Sequence, residues 1–316
     1  MINYLSIADA ERFISSALQS AKVPENDADI TASLMVQSDL VGADGHGIFR
    51  LPAYLKRIRA GGINLHPNIH IEREQGATAL INGDNALGHL VMNKAVDLAI
   101  EKVKEHSVCW IGSHYGNHSG AASVYVRKLA EQGYIGIYMA VGNANHMAPW
   151  GGIDLLLSTN PIAIAVPAGD HPIVLLDIAT TVAAYGKVKV AAQKGELIPE
   201  GWMMDRYGNP ITDPKKSSEG SLLPIGGYKG YGLAVMVGIL AGALNNAAVG
   251  KGTIDFNAHH DLITNTGQTI IAVDPSSFGD KDAFIGRVID FVGDLKSSST
   301  LPGVKEIRVP GDGAAK

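Results

Sequence analysis

Residues 78–112 read TALINGDNALGHLVMNKAVDLAIEKVKEHSVCWIG. Thr78 to Asn82 is a short apolar strand closed by the turn residues Gly83-Asp84-Asn85, and His89 to His106 repeats its apolar side chains at helical spacing. Val108 to Gly112 is again an apolar run, too short for a helix and free of charge, which reads as a buried strand. A chain that alternates short apolar runs with helices in this way is a mixed α/β protein.

The alternation continues downstream. His114 to Gly120 is a loop, a helix runs to about Gln132, and Tyr134 to Val141 is a strand. Ile162 to Pro167 and Ile173 to Ile178 are separated only by a turn at Gly169-Asp170, a spacing that predicts a hairpin rather than a crossover. Helices over about Tyr231–Asn245 and Asp282–Leu295 flank a strand at Gln268–Val273. Upstream, residues 1 to about 75 read as helical, with Ser6 and Asp9 as a cap, Pro24 as a stop and Leu51-Pro52 opening a third helix. Two domains are therefore expected: a helical one over 1–75 and an α/β one over 76–316.

With 316 residues, 46% hydrophobic and 18% charged, the chain can bury a large core. Its formal net charge of −5 provides neither a basic face for nucleic acid nor a polybasic membrane anchor. The single cysteine, Cys109, rules out an intrachain disulfide and a multi-cysteine zinc site. Gly232 to Leu244 is the most apolar stretch, but it stops at Asn245-Asn246, short of the roughly 20 residues needed to span a bilayer, and reads as a buried helix. Met1 to Leu18 has no targeting pattern, so the expected location is the cytoplasm.

Several chemistries are missing their sequence marks. No Gly-x-Gly-x-x-Gly, Gly-Lys-Ser/Thr, His-Glu-x-x-His or Gly-x-Ser-x-Gly occurs, which argues against a Rossmann loop, a P-loop, a helical metalloprotease and a nucleophile elbow. Polar residues gather instead in four glycine-rich segments. In Asp44-Gly45-His46-Gly47-Ile48-Phe49-Arg50, a proton-exchanging imidazole and a carboxylate-binding fork stand four apart, although a capped helix end would look the same. His114-Tyr115-Gly116-Asn117-His118-Ser119-Gly120 precedes a helix, where backbone N–H groups favour an anion, and a structural turn is the plain alternative. Ser158-Thr159-Asn160-Pro161 is followed by Asp177 at a strand end, a place for a ribose contact or a cap. Gly226-Gly227-Tyr228-Lys229-Gly230-Tyr231-Gly232 sets a lone lysine at a helix start, suited to a phosphate or carboxyl group or simply to solvent.

Taken in order, these segments, with Asp177-Ile178-Ala179-Thr180-Thr181 and Pro310-Gly311-Asp312, resemble the malate/L-lactate dehydrogenase-type NAD(P)-dependent oxidoreductases, which include ureidoglycolate, sulfolactate and diketogulonate enzymes. The resemblance runs along nearly the whole chain. It implies a non-Rossmann fold, with a mainly antiparallel sheet, flanking helices and a small helical N-terminal domain, and a homodimer whose active site lies near the subunit interface. It also implies NAD or NADP contacts on Asp177, Ile178, Ala179, Lys229, Gly311 and Asp312, and makes His46 and His118 the catalytic candidates. Three departures stand out: Gly45 replaces a usual Ser, Asp312 replaces a frequent Glu, and the chain ends at Lys316 where many members continue.

The expected reaction is reversible hydride transfer between NAD(P)H and a small 2-oxo/2-hydroxy acid. Arg50 would clamp the carboxylate, Asn160 would support the substrate or the nicotinamide amide, and a histidine would exchange one proton with the substrate oxygen. His46 takes first place as proton donor because it shares a segment with Arg50, and His118 stands second. Reduction of cyclic imino acids is the near alternative. A metal enzyme built on His114, His118 and His146, and a ligand-binding homologue without activity, are the more distant ones.

Overall fold

The computed structural model describes residues 5–313. Helices α1 (Ile7–Ser20), α2 (Glu25–Leu40) and α3 (Leu51–Arg59) come first, with a 3₁₀ turn at Ile48–Arg50 between the last two. Ser6 starts α1 as expected, its hydroxyl accepting the Asp9 N–H. Strands β1 (His70–Gln75) and β2 (Thr78–Ala86), helix α4 (Gly88–His106), β3 (Val108–Gly116), α5 (Ala122–Glu131), β4 (Ile135–Ala140), β5 (Ile162–Val166) and β6 (Val174–Ile178) follow. Helix α6 (Tyr185–Lys194), the small ribbon β7 (Met203–Asp205) with β8 (Gly220–Leu222), α7 (Tyr228–Val237), β9 (Thr266–Val273) and α8 (Lys281–Lys296) complete the chain.

Seven strands form one sheet in the order β1-β2-β3-β9-β4-β5-β6. Every neighbouring pair is antiparallel except β2 and β3, which α4 joins as a crossover. The sheet is thus mainly antiparallel. The predicted hairpin forms, with Val166 opposite Val174 and Ile162 opposite Ile178.

Helices α4 and α5 cover one face. Val91, Met92, Val96 and Val126 pack there against Ile81, Ile111, Ile270 and Ala272, all fully buried. On the other face Val237 and Ala241 press onto Met139 and Ile271. Strand β9, covered on both sides, is buried from Thr266 through Ala272, which explains the apolar run Ile270–Val273, while its buried polar side chains Thr266, Gln268 and Thr269 are hydrogen-bonded. Truncating Ile111 to Ala here would cost about 2–5 kcal/mol.

Four sequence readings need correction, the first being the strand end and turn at Gly83-Asp84-Asn85, which the structure places inside β2. Strand β1 lies inside the stretch read as helical; its sequence HIEREQ is exposed throughout, so an edge position with no apolar face hid it. Strand β3 continues to Gly116, taking His114 to Gly116 out of the predicted loop. The helix over Gly232–Leu244 is not buried all round: α7 gives way to a π turn at Gly238–Gly242, and Leu233, Met236, Ile239 and Leu244 are exposed.

Candidate active site

The turn between α2 and α3 builds the first wall of the site. A Cβ on Gly47 would overlap the Asp39 carboxylate, which also accepts the Ile48 N–H (2.9 Å). Glycine is therefore required, and the chain enters a 3₁₀ turn that runs straight into α3. This brings His46, Arg50 and Tyr54 together, four residues apart, at the same place.

The second wall is the segment after β3. Asn117 is fully buried, donates to the carbonyls of Asn85 (3.0 Å) and Ala86 (2.9 Å) and accepts from Thr264 (2.9 Å). With every amide group engaged, it pins the neighbouring His118. The Tyr54 hydroxyl donates to His118 Nδ1 (2.6 Å), and the Gly120 N–H points at the same nitrogen (3.3 Å). Two donors on Nδ1 fix the neutral tautomer that carries its proton on Nε2. The imidazoles of His46 and His118, 72 positions apart in sequence, stack with ring centroids 5.5 Å apart and planes 13° apart.

A third wall comes from residues 255–257. The Asp255 carboxylate accepts from Asn257 N (2.8 Å) and Nδ2 (3.3 Å), and Asn257 Oδ1 accepts from Arg50 Nη1 (3.3 Å). Arg50 has no carboxylate partner among the described residues, and its Nε is buried without any partner. The Phe256 ring closes the base, 5.9 Å from both Tyr54 and His118.

Burial, with the Arg50 charge second, lowers His46 to about 4 and holds His118 well below its ordinary value. Both are neutral at pH 7. Beneath them His89 is fully buried, edge-on to Tyr54 (5.4 Å), with both ring nitrogens unpartnered, and burial takes it down to about 3. Burial also raises the Tyr54 hydroxyl far above its usual range, so it stays a donor.

These groups line a cleft of about 1480 Å³, larger than the roughly 300–1,000 Å³ of an ordinary one-ligand pocket. Asp177, Ile178, Ala179 and Gly311 line it too. Asp177 is open to the cleft; its carboxyl accepts the Ser123 N–H (2.8 Å), and crowding raises its pKa. Helix α5 starts there with Ala121, which offers no side-chain cap; Asp177 takes the Ser123 N–H, and Ala121, Ala122 and Ser123 all border the cleft, so the first turn of the helix faces it. Such a donor set suits a dinucleotide pyrophosphate.

Three candidates lie elsewhere. Asn160 is buried behind the wall, donating to Ala234 O (2.8 Å) and accepting from Gly142 N (3.2 Å). Lys229 is exposed on the first turn of α7 and outside the cleft. Asp312 turns to Lys296 (2.9 Å) and the Val309 N–H (3.0 Å), while its neighbour Gly311 borders the cleft. The histidines of the metal alternative are not assembled: His114 bonds Glu72 (2.9 Å), His146 stacks on Tyr185 at 4.0 Å, and among the described residues no three ligating groups converge.

Tyr54, Asn257, Asp255, Phe256 and His89 escaped the sequence reading. For Tyr54 a signal existed, since it follows Arg50 by one helical turn on the face that His46 begins.

Comparison with known proteins agrees with this geometry. The family profile for malate/L-lactate dehydrogenase matches residues 5–316. The malate/(S)-sulfolactate dehydrogenase of Methanothermus fervidus is 41% identical over 311 residues, covering 98% of this chain and 88% of that protein. Among solved structures, the sulfolactate dehydrogenase of Methanocaldococcus jannaschii superposes with a TM-score of 0.88 at 39% identity, covering 98% of this chain and 89% of that one. The delta1-piperideine-2-carboxylate reductase of Pseudomonas syringae gives 0.89 at 28% identity, over 99% of this chain and 92% of the other. In fold and over residues 5–316 of its sequence, the chain belongs to the malate/L-lactate dehydrogenase family.

Proposed function

We propose that the protein interconverts a small 2-oxo acid and its 2-hydroxy acid with a nicotinamide cofactor, in the manner of a malate or sulfolactate dehydrogenase. One observation carries this reading: Arg50 is held at the cleft without a carboxylate partner, beside an imidazole whose tautomer is fixed. Asn257 holds one arm of its planar fork through Nη1, and the other N–H groups, with no partner among the described residues, are left for the substrate carboxylate. When bound, the cofactor supplies or accepts the hydride.

The geometry favours His118 over His46 as the proton donor in reduction, because only His118 has its far nitrogen tethered. Burial is the first cause that depresses both imidazoles and the Arg50 charge the second; a carboxylate settling on Arg50 cancels that second cause and favours loading of a proton onto His118. The Tyr54 hydroxyl then rotates from donor to acceptor, and His118 Nε2 passes its proton to the substrate oxygen as the carbon is reduced. His46, stacked alongside, orients the acid. Asp177, Ile178, Ala179 and Gly311 hold the cofactor, with the first turn of α5 at its pyrophosphate. Asn160 positions Gly142 and α7.

We further propose a homodimer, because the apolar face of α7 has no cover in this chain. Lys229, Leu233 and Met236 share that face, so Lys229 is placed to reach the partner's cofactor across the interface. Among the described residues no helix is long and apolar enough to cross a membrane. Free, buried Cys109 accords with the cytoplasm.

The test is oxidation of NADH and NADPH against a panel of 2-oxo acids and cyclic imines. Turnover of 2-oxo acids, lost in Arg50→Ala, is the expected result. Turnover of cyclic imines alone would move the reading to an imine reductase, and no turnover at all would remove it.

A further inference from the structure

A second cavity, of about 610 Å³, lies beyond the cleft at the far end of α5. Arg127, Pro167, His171, Ile173, Lys281 and Ile285 are among its walls, drawn from α5, the β5–β6 turn, β6 and α8. It meets the main cleft at Val41, Leu175 and Gly311, which border both.

Two elements run from one space to the other. On β6, alternate side chains share a face, so Ile173, Leu175 and Asp177 stand in a row: Asp177 in the cleft, Leu175 at the junction, Ile173 in the second cavity. That row is about 13 Å long. Beside it, α5 runs from Ser123 in its first turn, bonded to Asp177, to Arg127 about 6 Å further on. A ligand anchored at Asp177 and at the start of α5 is thereby led into the second cavity. Between the two, Pro310 O accepts the Leu175 N–H (3.1 Å) and lays the tail across the edge of β6.

The far cavity combines flat apolar walls with cations. Pro167, Ile173 and Ile285 offer surfaces for an aromatic base. Lys281 has no carboxylate within ion-pairing distance among the described residues; its ammonium lies against Gly133, where an added Cβ would collide with it, and 6.0 Å from the Tyr134 ring. Arg127 gives its Nε to Glu131 (2.8 Å), and its terminal nitrogens have no hydrogen-bond partner among the described residues. His171 stands exposed on the hairpin turn. Three basic side chains thus face one carboxylate, Glu131.

We propose that this second cavity receives the adenosine half of the nicotinamide cofactor, and that Lys281, supported by Arg127 and His171, holds a phosphate on its ribose. The chain therefore prefers NADPH to NADH. This rests on the dehydrogenase reading above and deepens it by naming the cofactor.

Titration of cofactor fluorescence with the full chain, without substrate, tests it. NADPH should bind at least about tenfold tighter than NADH, and Lys281→Ala should remove most of that gap by weakening NADPH alone. Unchanged NADH affinity shows that the variant is folded, and Lys281→Arg should keep the preference. In calorimetry, 2′,5′-ADP should bind more tightly than 5′-ADP to the native chain and equally to Lys281→Ala. Equal affinity for the two dinucleotides, an equal loss of both in Lys281→Ala, or no advantage of 2′,5′-ADP overturns the inference while leaving the dehydrogenase intact. If the folded protein binds neither dinucleotide, the parent reading fails and this one with it.

Discussion

Tyr54→Phe removes one oxygen and keeps the ring that packs on His89, His118 and Phe256. His118 Nδ1 would retain only the Gly120 N–H, at 3.3 Å, in place of a hydroxyl at 2.6 Å. A buried hydrogen bond of this kind is worth about 0.5–1.5 kcal/mol net. That is enough to lower the share of the productive tautomer by up to about tenfold, at 1.4 kcal/mol per decade. Single-turnover hydride transfer should therefore slow about tenfold, with KM for the 2-oxo acid nearly unchanged because Arg50 is untouched. His118→Gln removes the acid itself and should cost about 10²–10⁴-fold. Hydride transfer in Tyr54→Phe within twofold of the native rate, together with a mild effect of His118→Gln, would refute the tethered-acid mechanism and return the role to His46.

Four further outcomes are expected. Arg50→Lys keeps the charge but loses the fork, so KM for the 2-oxo acid should rise about tenfold or more while NADPH affinity holds; normal kinetics would contradict the clamp. Gly45→Ser should fold normally, since a Cβ there meets nothing within 4 Å, and should shift preference among 2-oxo acids in a kinetic panel. His89 is neutral in the folded state and takes up a proton on unfolding below pH 6.5, so it withdraws stability as pH falls from 6.5 towards about 3. By denaturant titration His89→Leu should lessen the loss between pH 7 and pH 5 by about 2 kcal/mol. Mixing inactive Lys229→Ala and His118→Gln chains should restore activity if Lys229 serves the partner's site, and no restoration would place it in its own.

Much of the fold was legible because local pattern and burial agree. The helix at His89–His106, the strand at Val108 and the hairpin about Gly169-Asp170 all depend on neighbours in sequence. The turn expected at Gly83-Asp84-Asn85 does not form: these residues lie inside β2, and the positive φ of Asp84 and Asn85, 47° and 57°, marks an irregularity in its ladder with β3 instead. That ladder resumes at Ala86. Helix α6 was missed because YGKVKVAAQK buries only Val188 and shows little periodicity. In the site, His46, Arg50 and His118 could be found from short motifs. Their supports could not: Asn257 reaches Arg50 from 207 positions away, and Tyr54 meets His118 across 64. Long-range pairing of this kind leaves no local periodicity to read.

The stacked imidazoles and the unpaired Arg50 also bear on which molecules can react, as distinct from which can bind. An uncharged analogue, such as the amide or methyl ester of the same 2-oxo acid, can fill the same volume and present the same carbonyl. It brings no negative charge, so His118 stays neutral and offers the carbonyl oxygen only the Nε2–H of a neutral imidazole, a far weaker acid than the imidazolium. Selectivity for acids then appears in kcat as well as KM, and lowering the pH should rescue the ester more than the acid. On this view the site discriminates by counting charge at the moment of reaction, a filter that shape alone could not provide.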